Sequence, residues 1–140
     1  MQKISLSDEK LFEAANQAGV TKFGLFNDAG YKGLYGAPLT DIEQRKGIKK
    51  GELLDRAGST ELAANLFRIT QTDEKLKKDK IQDERAATNT HFMVGGKVRQ
   101  TIKDIGGELP ENLPSEKHIK EVKKELRQLK NIDVKKLKSP

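Results

Sequence analysis

The chain has 140 residues and a net charge of +6, and apolar and charged residues each make up 34% of it, which indicates one domain with a small core. The absence of cysteine excludes disulfides, thiolate zinc sites and cysteine nucleophiles. Because no apolar run approaches the ~20 residues that cross a bilayer and the N-terminus lacks an apolar secretory signal, we expect a cytoplasmic protein without membrane contact.

The first sixty residues predict short helices separated by glycine. Their apolar spacing is helical, and glycine is the residue that most often ends a helix. Four short elements are predicted, over about residues 7–18, 23–26, 40–46 and 52–57.

Between the second and third of these elements, residues 27–38 contain three glycines and a proline, which predicts an ordered loop. Both tyrosines of the chain, Tyr31 and Tyr35, flank Lys32 in this Gly/Tyr-rich loop. Two interpretations stay open: the rings stack on unpaired bases while the lysine meets phosphate, or both rings anchor the loop to the core. The glycine spacing lacks the pattern of a phosphate-binding P-loop.

A long helix is predicted from Ser59 to about Lys78, after Gly58. Its apolar stripe is accompanied by polar residues that are not strong helix formers, in place of the Glu and Lys of a solvated helix. These include Asn65, Arg68 and Gln71. Their presence predicts buried or interfacial hydrogen bonding.

A second long helix is predicted over about residues 86–105, antiparallel to the first because the charged connection between them is short. His91 lies on its apolar stripe, where a core histidine is expected, and His118 lies among lysines and is expected to face solvent. Gly95 and Gly96 predict a kink or the close approach of another backbone.

The sequence divides into a helical body over residues 1–109, a Pro-containing linker over 110–114 and a basic helical tail over 115–140. The tail holds nine basic and four acidic residues, so most of the net charge lies in it. It is amphipathic, and docking on its own body or on a partner stays open. A homodimer would use its apolar stripe, Ile119, Val122, Leu126 and Leu129.

Arg45, Lys46, Lys49 and Lys50 form the densest basic cluster of the body and predict either a nucleic-acid backbone contact or solvated loop charge. Arg99 is expected to pair with a carboxylate such as Glu61 or Asp104, or to reach a partner. The same expectation applies to Arg68. No catalytic residue, metal ligand or cofactor site is expected. The candidate nucleic-acid or partner-binding residues are Tyr31, Lys32, Tyr35, Arg45, Lys46, Lys49, Lys50, Asn65, Arg68, Gln71 and Arg99.

Four segments in the same order, residues 30–36, 45–50, 58–72 and 90–102, carry a resemblance. From about residue 7 to 114 the chain resembles the C-terminal half of the DNA-damage-inducible protein D family. Members of that family resemble BRO-type phage antirepressors in their N-terminal half, and nothing in this chain resembles that half. We therefore expect a fragment, a separated domain or a member without the N-terminal module.

The resemblance implies an all-α protein of the bacterial response to DNA damage that acts by binding and not by turnover. Its expected partners are single-stranded or recombinase-coated DNA, or the recombinase itself. Two alternatives stay open: a general nucleic-acid-binding domain of an antirepressor-type prophage protein, and an oligomerisation domain for a missing N-terminal module. A small hydrolase or nuclease would need an acidic metal cluster that the sequence lacks.

Overall fold

A computed structural model of the chain describes residues 2–116 and 126–130, and side chains from residue 6 onward. The described part is all-α, apart from one isolated β-bridge, and so confirms the predicted class. Residues 126–130 are also helical. The remaining elements are α1 (Gln2–Gln17), α2 (Phe23–Tyr35), α3 (Leu39–Lys46), a 3-10 helix (Leu54–Arg56), α4 (Ser59–Lys78), α5 (Glu84–Asp104) and a second 3-10 helix (Pro110–Asn112).

The core consists of two apolar clusters along α4 and α5. In the first, Leu11 of α1 and Phe26 of α2 pack with Ile69 and Leu76 of α4 and with Ala87 of α5. In the second, α2 and α3 pack against residues nearer the start of α4 and the end of α5, including Ala64 and Ile102. The contacts therefore run in opposite sequence order along α4 and α5.

The predicted ordered loop over residues 27–38 is wrong, because the chain is helical to Tyr35 and turns only at Gly36, a left-handed C-cap with φ +74°. Gly30 and Gly33 do not form turns. A Cβ on Gly33 would lie 2.3 Å from the Phe92 carbonyl oxygen, and a Cβ on Gly30 would lie 2.1 Å from His91 Nε2. These glycines let α2 and α5 pack closely, which outweighs their poor helix propensity.

The close packing of α2 on α5 also explains why α5 contains glycine at one of its two adjacent glycine positions. A Cβ on Gly95 would lie 2.6 Å from the Gly30 carbonyl oxygen, whereas a Cβ on Gly96 would meet nothing within 4 Å. The prediction that a backbone approaches this pair is confirmed for Gly95. Because α2 packs extensively on α5, it is a central element of the fold, although the sequence predicted only four residues of helix there.

The segment predicted as a linker is packed on the body. Pro110 is buried, the Leu113 carbonyl accepts a hydrogen bond from Lys46, and Ser115 forms an antiparallel bridge with Ala57. The body therefore extends to Glu116, beyond the predicted boundary at residue 109. In the predicted tail, residues 117–125 and 131–140, which include His118, Ile119 and Val122, lie outside the described residues.

Candidate nucleic-acid interface

Much of the polar side of α4 faces the core. The Arg68 side chain is fully buried, with Nη1 2.7 Å from His91 Nε2 and Nη2 donating to Asn65 Oδ1 at 3.0 Å. Its guanidinium carbon lies 4.5 Å from the centroid of the Tyr31 ring, a cation–π contact. His91 Nδ1 lies 2.8 Å from the Phe26 carbonyl oxygen, which joins α2 to α5. Arg68 and His91 thereby link α2, α4 and α5.

The hydrogen bonds continue from Asn65 to the end of α3. Asn65 Nδ2 donates to the Tyr35 hydroxyl at 2.9 Å, and that hydroxyl donates to Glu61 Oε2 at 2.5 Å. Lys46 Nζ then pairs with Glu61 Oε1 at 3.0 Å and donates to the Leu113 carbonyl at 2.7 Å. We call this set, Lys46, Glu61, Tyr35, Asn65, Arg68 and His91, the buried polar chain.

Burial and neighbouring charges determine the protonation states of His91 and Tyr35 in the buried polar chain. Burial, with the adjacent Arg68 charge, lowers the pKa of His91 to about 3, so the ring is neutral at neutral pH. Nδ1 must then carry the proton donated to the Phe26 carbonyl, and Nε2 accepts from Arg68. Burial and the Glu61 carboxylate raise the pKa of Tyr35, so its hydroxyl remains a donor. Each of these contacts has a matched donor and acceptor.

This placement removes several predicted residues from any contact surface. Tyr31 and Tyr35 are buried, so the interpretation that they stack on bases is wrong and core anchoring is correct. Asn65 and Arg68 are fully buried, and the Lys46 side chain is only 3% exposed. Because a buried group already in a hydrogen bond or ion pair cannot also reach a partner, their predicted binding role is wrong.

Three cations remain exposed, one in the last turn of α3 and two just after it. Arg45, Lys49 and Lys50 are all exposed, and we call these three residues the basic turn. Arg45 is hydrogen-bonded to the Asn112 side chain, which holds it beside the second 3-10 helix. The basic turn therefore contains the three accessible residues of the predicted four-residue basic cluster.

Buried residues stabilise the backbone of the basic turn. Gly47 and Gly51 adopt left-handed conformations, with φ of +66° and +83°. The Ile48 N–H donates to the Glu43 carbonyl at 2.9 Å, and the Ile48 side chain is buried. The buried Glu43 carboxylate accepts a hydrogen bond from the Gly51 N–H at 2.7 Å and so closes the turn. The two lysines therefore project from a fixed backbone.

The other candidates make contacts of their own. Arg99 makes a bidentate pair with Glu111 at 2.7 and 2.8 Å and also donates to the Leu34 carbonyl. It therefore pairs with a carboxylate, but not with either of the two suggested by the sequence. Lys32 is exposed and lies 3.7 Å from Asp28. Gln71 is exposed on α4. None of the three joins the basic turn in a shared hydrogen-bond set.

Sequence reasoning missed the acidic partners. Glu43, Glu61 and Glu111 each fix a basic residue or a turn, yet each is separated from its partner by eight or more positions. The signal available was the excess of hydrogen-bonding residues on α4, which indicated buried or interfacial contacts without choosing between them.

Two searches of the described residues bear on the class of site. No group of three or more His, Cys, Asp or Glu side chains in residues 2–116 and 126–130 is arranged to hold a metal ion. Among the same residues, no helix has both the length and the hydropathy that a membrane span requires.

Comparison with known proteins places the chain in a family. No solved structure matches. Over 113 residues the chain is 56% identical to DNA damage-inducible protein D of Escherichia coli strain K12, a match that covers 77% of this chain and 41% of the relative. A family model described as the DinD C-terminal domain matches residues 1–122. The chain therefore belongs to the DinD C-terminal domain family.

Proposed function

We propose that this domain serves the response to DNA damage by binding recombination or repair complexes, on DNA or on recombinase-coated DNA, without chemical turnover. The role in DNA damage follows from the family and from the name of the E. coli relative. The single observation that carries the binding mode is the basic turn, in which Arg45, Lys49 and Lys50 are exposed on a closed backbone.

The chemistry of this turn suits a phosphate backbone. Three cations within six residues can neutralise about three phosphates, and such contacts weaken steeply as salt rises. Holding the lysine backbones in place lowers the ordering cost of binding. The element that follows is a three-residue 3-10 helix, Leu54–Arg56, which is too short to read a groove as a recognition helix does. The contact is therefore independent of base sequence.

Fluorescence anisotropy of labelled single-stranded DNA, bare and coated with recombinase, tests the proposal at low and at physiological salt. We expect the full chain to bind the coated filament at both salt concentrations and bare DNA mainly at low salt. A matched control is Lys97→Gln with Lys103→Gln, which removes two exposed charges from α5 and should leave binding unchanged. Absence of binding to both forms would contradict the proposal.

Equal binding to bare and coated DNA would favour the alternative function, general nucleic-acid binding. If bare and coated DNA bind equally at each salt concentration, the domain is a general nucleic-acid-binding module and recognises no recombinase. The same basic turn would carry that activity, because its charges contact phosphate in either case.

A further inference from the structure

The outward side of α5 carries a patch without charge. Residues 86–96 contain no Asp, Glu, Lys or Arg, although these residue types make up 34% of the chain. Asn89, Phe92, Met93 and Gly96 have the spacing of one helix face, and we call these four residues the uncharged face. Phe92 is 51% exposed and Met93 is 38% exposed. The centres of protein interfaces are depleted of charge and enriched in Phe and Met, so this composition is typical of a contact surface.

Leu25 of α2 adds to the apolar surface at the start of α5. It is 64% exposed and lines a cavity of about 430 Å³ together with Thr88 and Asn89. Phe92 lies about one turn further along α5 than Asn89. Two adjacent helices therefore expose apolar side chains on the same side, and clustered apolar exposure marks interaction sites in a way that single exposed residues do not.

Gly96 is a glycine that the described part of the chain does not require. Gly95 faces α2, where a Cβ would lie 2.6 Å from the Gly30 carbonyl oxygen, whereas a Cβ on Gly96 would meet nothing within 4 Å among the described residues. Alanine would stabilise the helix at such a position. A glycine on the outer side of α5 allows another backbone to approach there, as Gly95 does on the inner side.

Positive charge borders the uncharged face at both ends. Arg85 precedes it and Lys97 follows it, both are exposed, and neither forms an ion pair with any residue that the structure describes. The carboxylates at the start of α5 are already engaged: Asp83 caps α5, and Glu84 accepts from the Lys22 N–H at 2.8 Å. The rim of the face is therefore positive.

This positive rim indicates which kind of molecule fits the face. A second copy would bring like charges together in either orientation, because both ends of the face are positive. Residues 115–140 of the chain itself hold nine basic and four acidic residues and so carry the same sign as the rim. Single-stranded nucleic acid stacks on successive aromatic rings, and Phe92 is the one ring of this face. A protein segment with acidic flanks has the complementary charge.

We infer that the uncharged face binds an amphipathic helix of a partner protein. The apolar side chains of that helix contact Phe92 and Met93, its backbone crosses α5 at Gly96, and its flanking carboxylates meet Arg85 and Lys97. An apolar centre supplies the contact area, and complementary charges at the rim supply specificity. The inference uses no residue of the basic turn and does not depend on the proposed DNA contact.

Two synthetic helical peptides of equal hydrophobicity test the charge. Both carry leucine at i, i+3, i+4 and i+7 with alanine at the crossing point, and one has glutamate at both ends where the other has lysine. In NMR titrations of the full chain we expect the acidic peptide to shift the amide signals of Phe92, Met93 and Gly96. It should bind with about ten times the affinity of the basic peptide. Equal affinities, or unshifted signals with the acidic peptide, would overturn the inference.

The variant Gly96→Ala separates loss of binding from loss of folding. Its methyl group meets open space within the described chain, so the melting temperature should rise. The same methyl group lies where the partner backbone approaches, so the acidic peptide should bind about tenfold more weakly. Gly24→Ala on α2 is the matched control, because its Cβ also meets nothing within 4 Å and it lies outside the uncharged face. Unchanged affinity in Gly96→Ala would overturn the inference.

Three further results would assign the face to another occupant and so overturn the inference. A single-stranded oligonucleotide that shifts the Phe92 and Met93 signals would make it a nucleic-acid surface. Signals that shift when the unmodified chain alone is concentrated would assign it to a second copy. Signals that shift in the variant Leu126→Asp, Leu129→Asp at low concentration would assign it to the tail of the same chain.

Discussion

The buried polar chain and the basic turn are built from the same kinds of residue, and both include positions from one basic cluster. Lys46 lies in the cluster with Lys49, yet its ammonium is buried against Glu61 whereas Lys49 is exposed. Their environments differ because Gly47 ends α3 between them and reverses the chain direction. The comparison shows that burial, and not residue type, separates cations that hold the fold from cations that can meet a partner.

The largest effect is expected at Arg68, compared with Gln71 on the same helix. Arg68→Ala opens a cavity and leaves His91 Nε2 and Asn65 Oδ1 without their donor. The free energy of unfolding should fall by about 3–5 kcal/mol in urea denaturation. Gln71→Ala, at an exposed position, should stay within about 0.5 kcal/mol. Equal effects at the two positions would show that the polar side of α4 is not a structural core.

A second comparison concerns the stability effects of two lysines in the basic cluster, one buried and one exposed. Lys46→Gln leaves the buried Glu61 carboxylate without its cation and should lower the unfolding free energy by about 1.5–3 kcal/mol. Lys49→Gln should leave stability unchanged, because that side chain is exposed. Urea denaturation of the two variants in one buffer gives both values. A destabilising Lys49→Gln would mean that the turn is also part of the core.

The two adjacent glycines of α5 should respond to alanine in opposite directions, and with smaller changes in stability. Gly95→Ala places a Cβ 2.6 Å from the Gly30 carbonyl oxygen, so α2 and α5 must move apart, at a cost of about 1–3 kcal/mol. Gly96→Ala meets open space and should stabilise α5 by about 1 kcal/mol. Thermal melting of both variants tests this, and a lower melting temperature for Gly96→Ala would contradict the packing described for the crossing.

The last stability prediction concerns pH. The pKa of His91 is about 3 in the folded protein and near 6.5 when unfolded, so the unfolded state binds the extra proton between those values. Stability contributed by the neutral ring is complete above pH 6.5 and is lost as the pH falls towards 3, by at most about 1.4 kcal/mol per pH unit. His91→Gln should show a shallower dependence in urea denaturation between pH 4 and 7. An unchanged slope would mean that His91 has the same pKa in the folded and unfolded protein.

The sequence predicted the all-α class and the bounds of α4, because a stripe of helical period and a glycine boundary are local signals. It failed at α2, because Gly30 and Gly33 are explained only by α5 opposite them, by the His91 side chain for Gly30 and by the helix backbone for Gly33. It also identified the polar residues of α4 as unusual but did not decide between buried and interfacial contacts for them. Their partners Tyr35 and His91 are distant along the chain, so local spacing could not reveal that the contacts close inside the core.

The most direct test of the division between buried and exposed cations is the salt dependence of single-stranded DNA binding. Anisotropy titrations from 50 to 200 mM salt should compare the unmodified chain with the variant Arg45→Gln, Lys49→Gln, Lys50→Gln. We predict weaker binding for the variant and a slope of log affinity against log salt reduced by about 0.7 for each phosphate that is no longer neutralised, or about 2 in total. An unchanged affinity and slope in a folded variant would contradict the account, because the basic turn would then not be the DNA-binding surface.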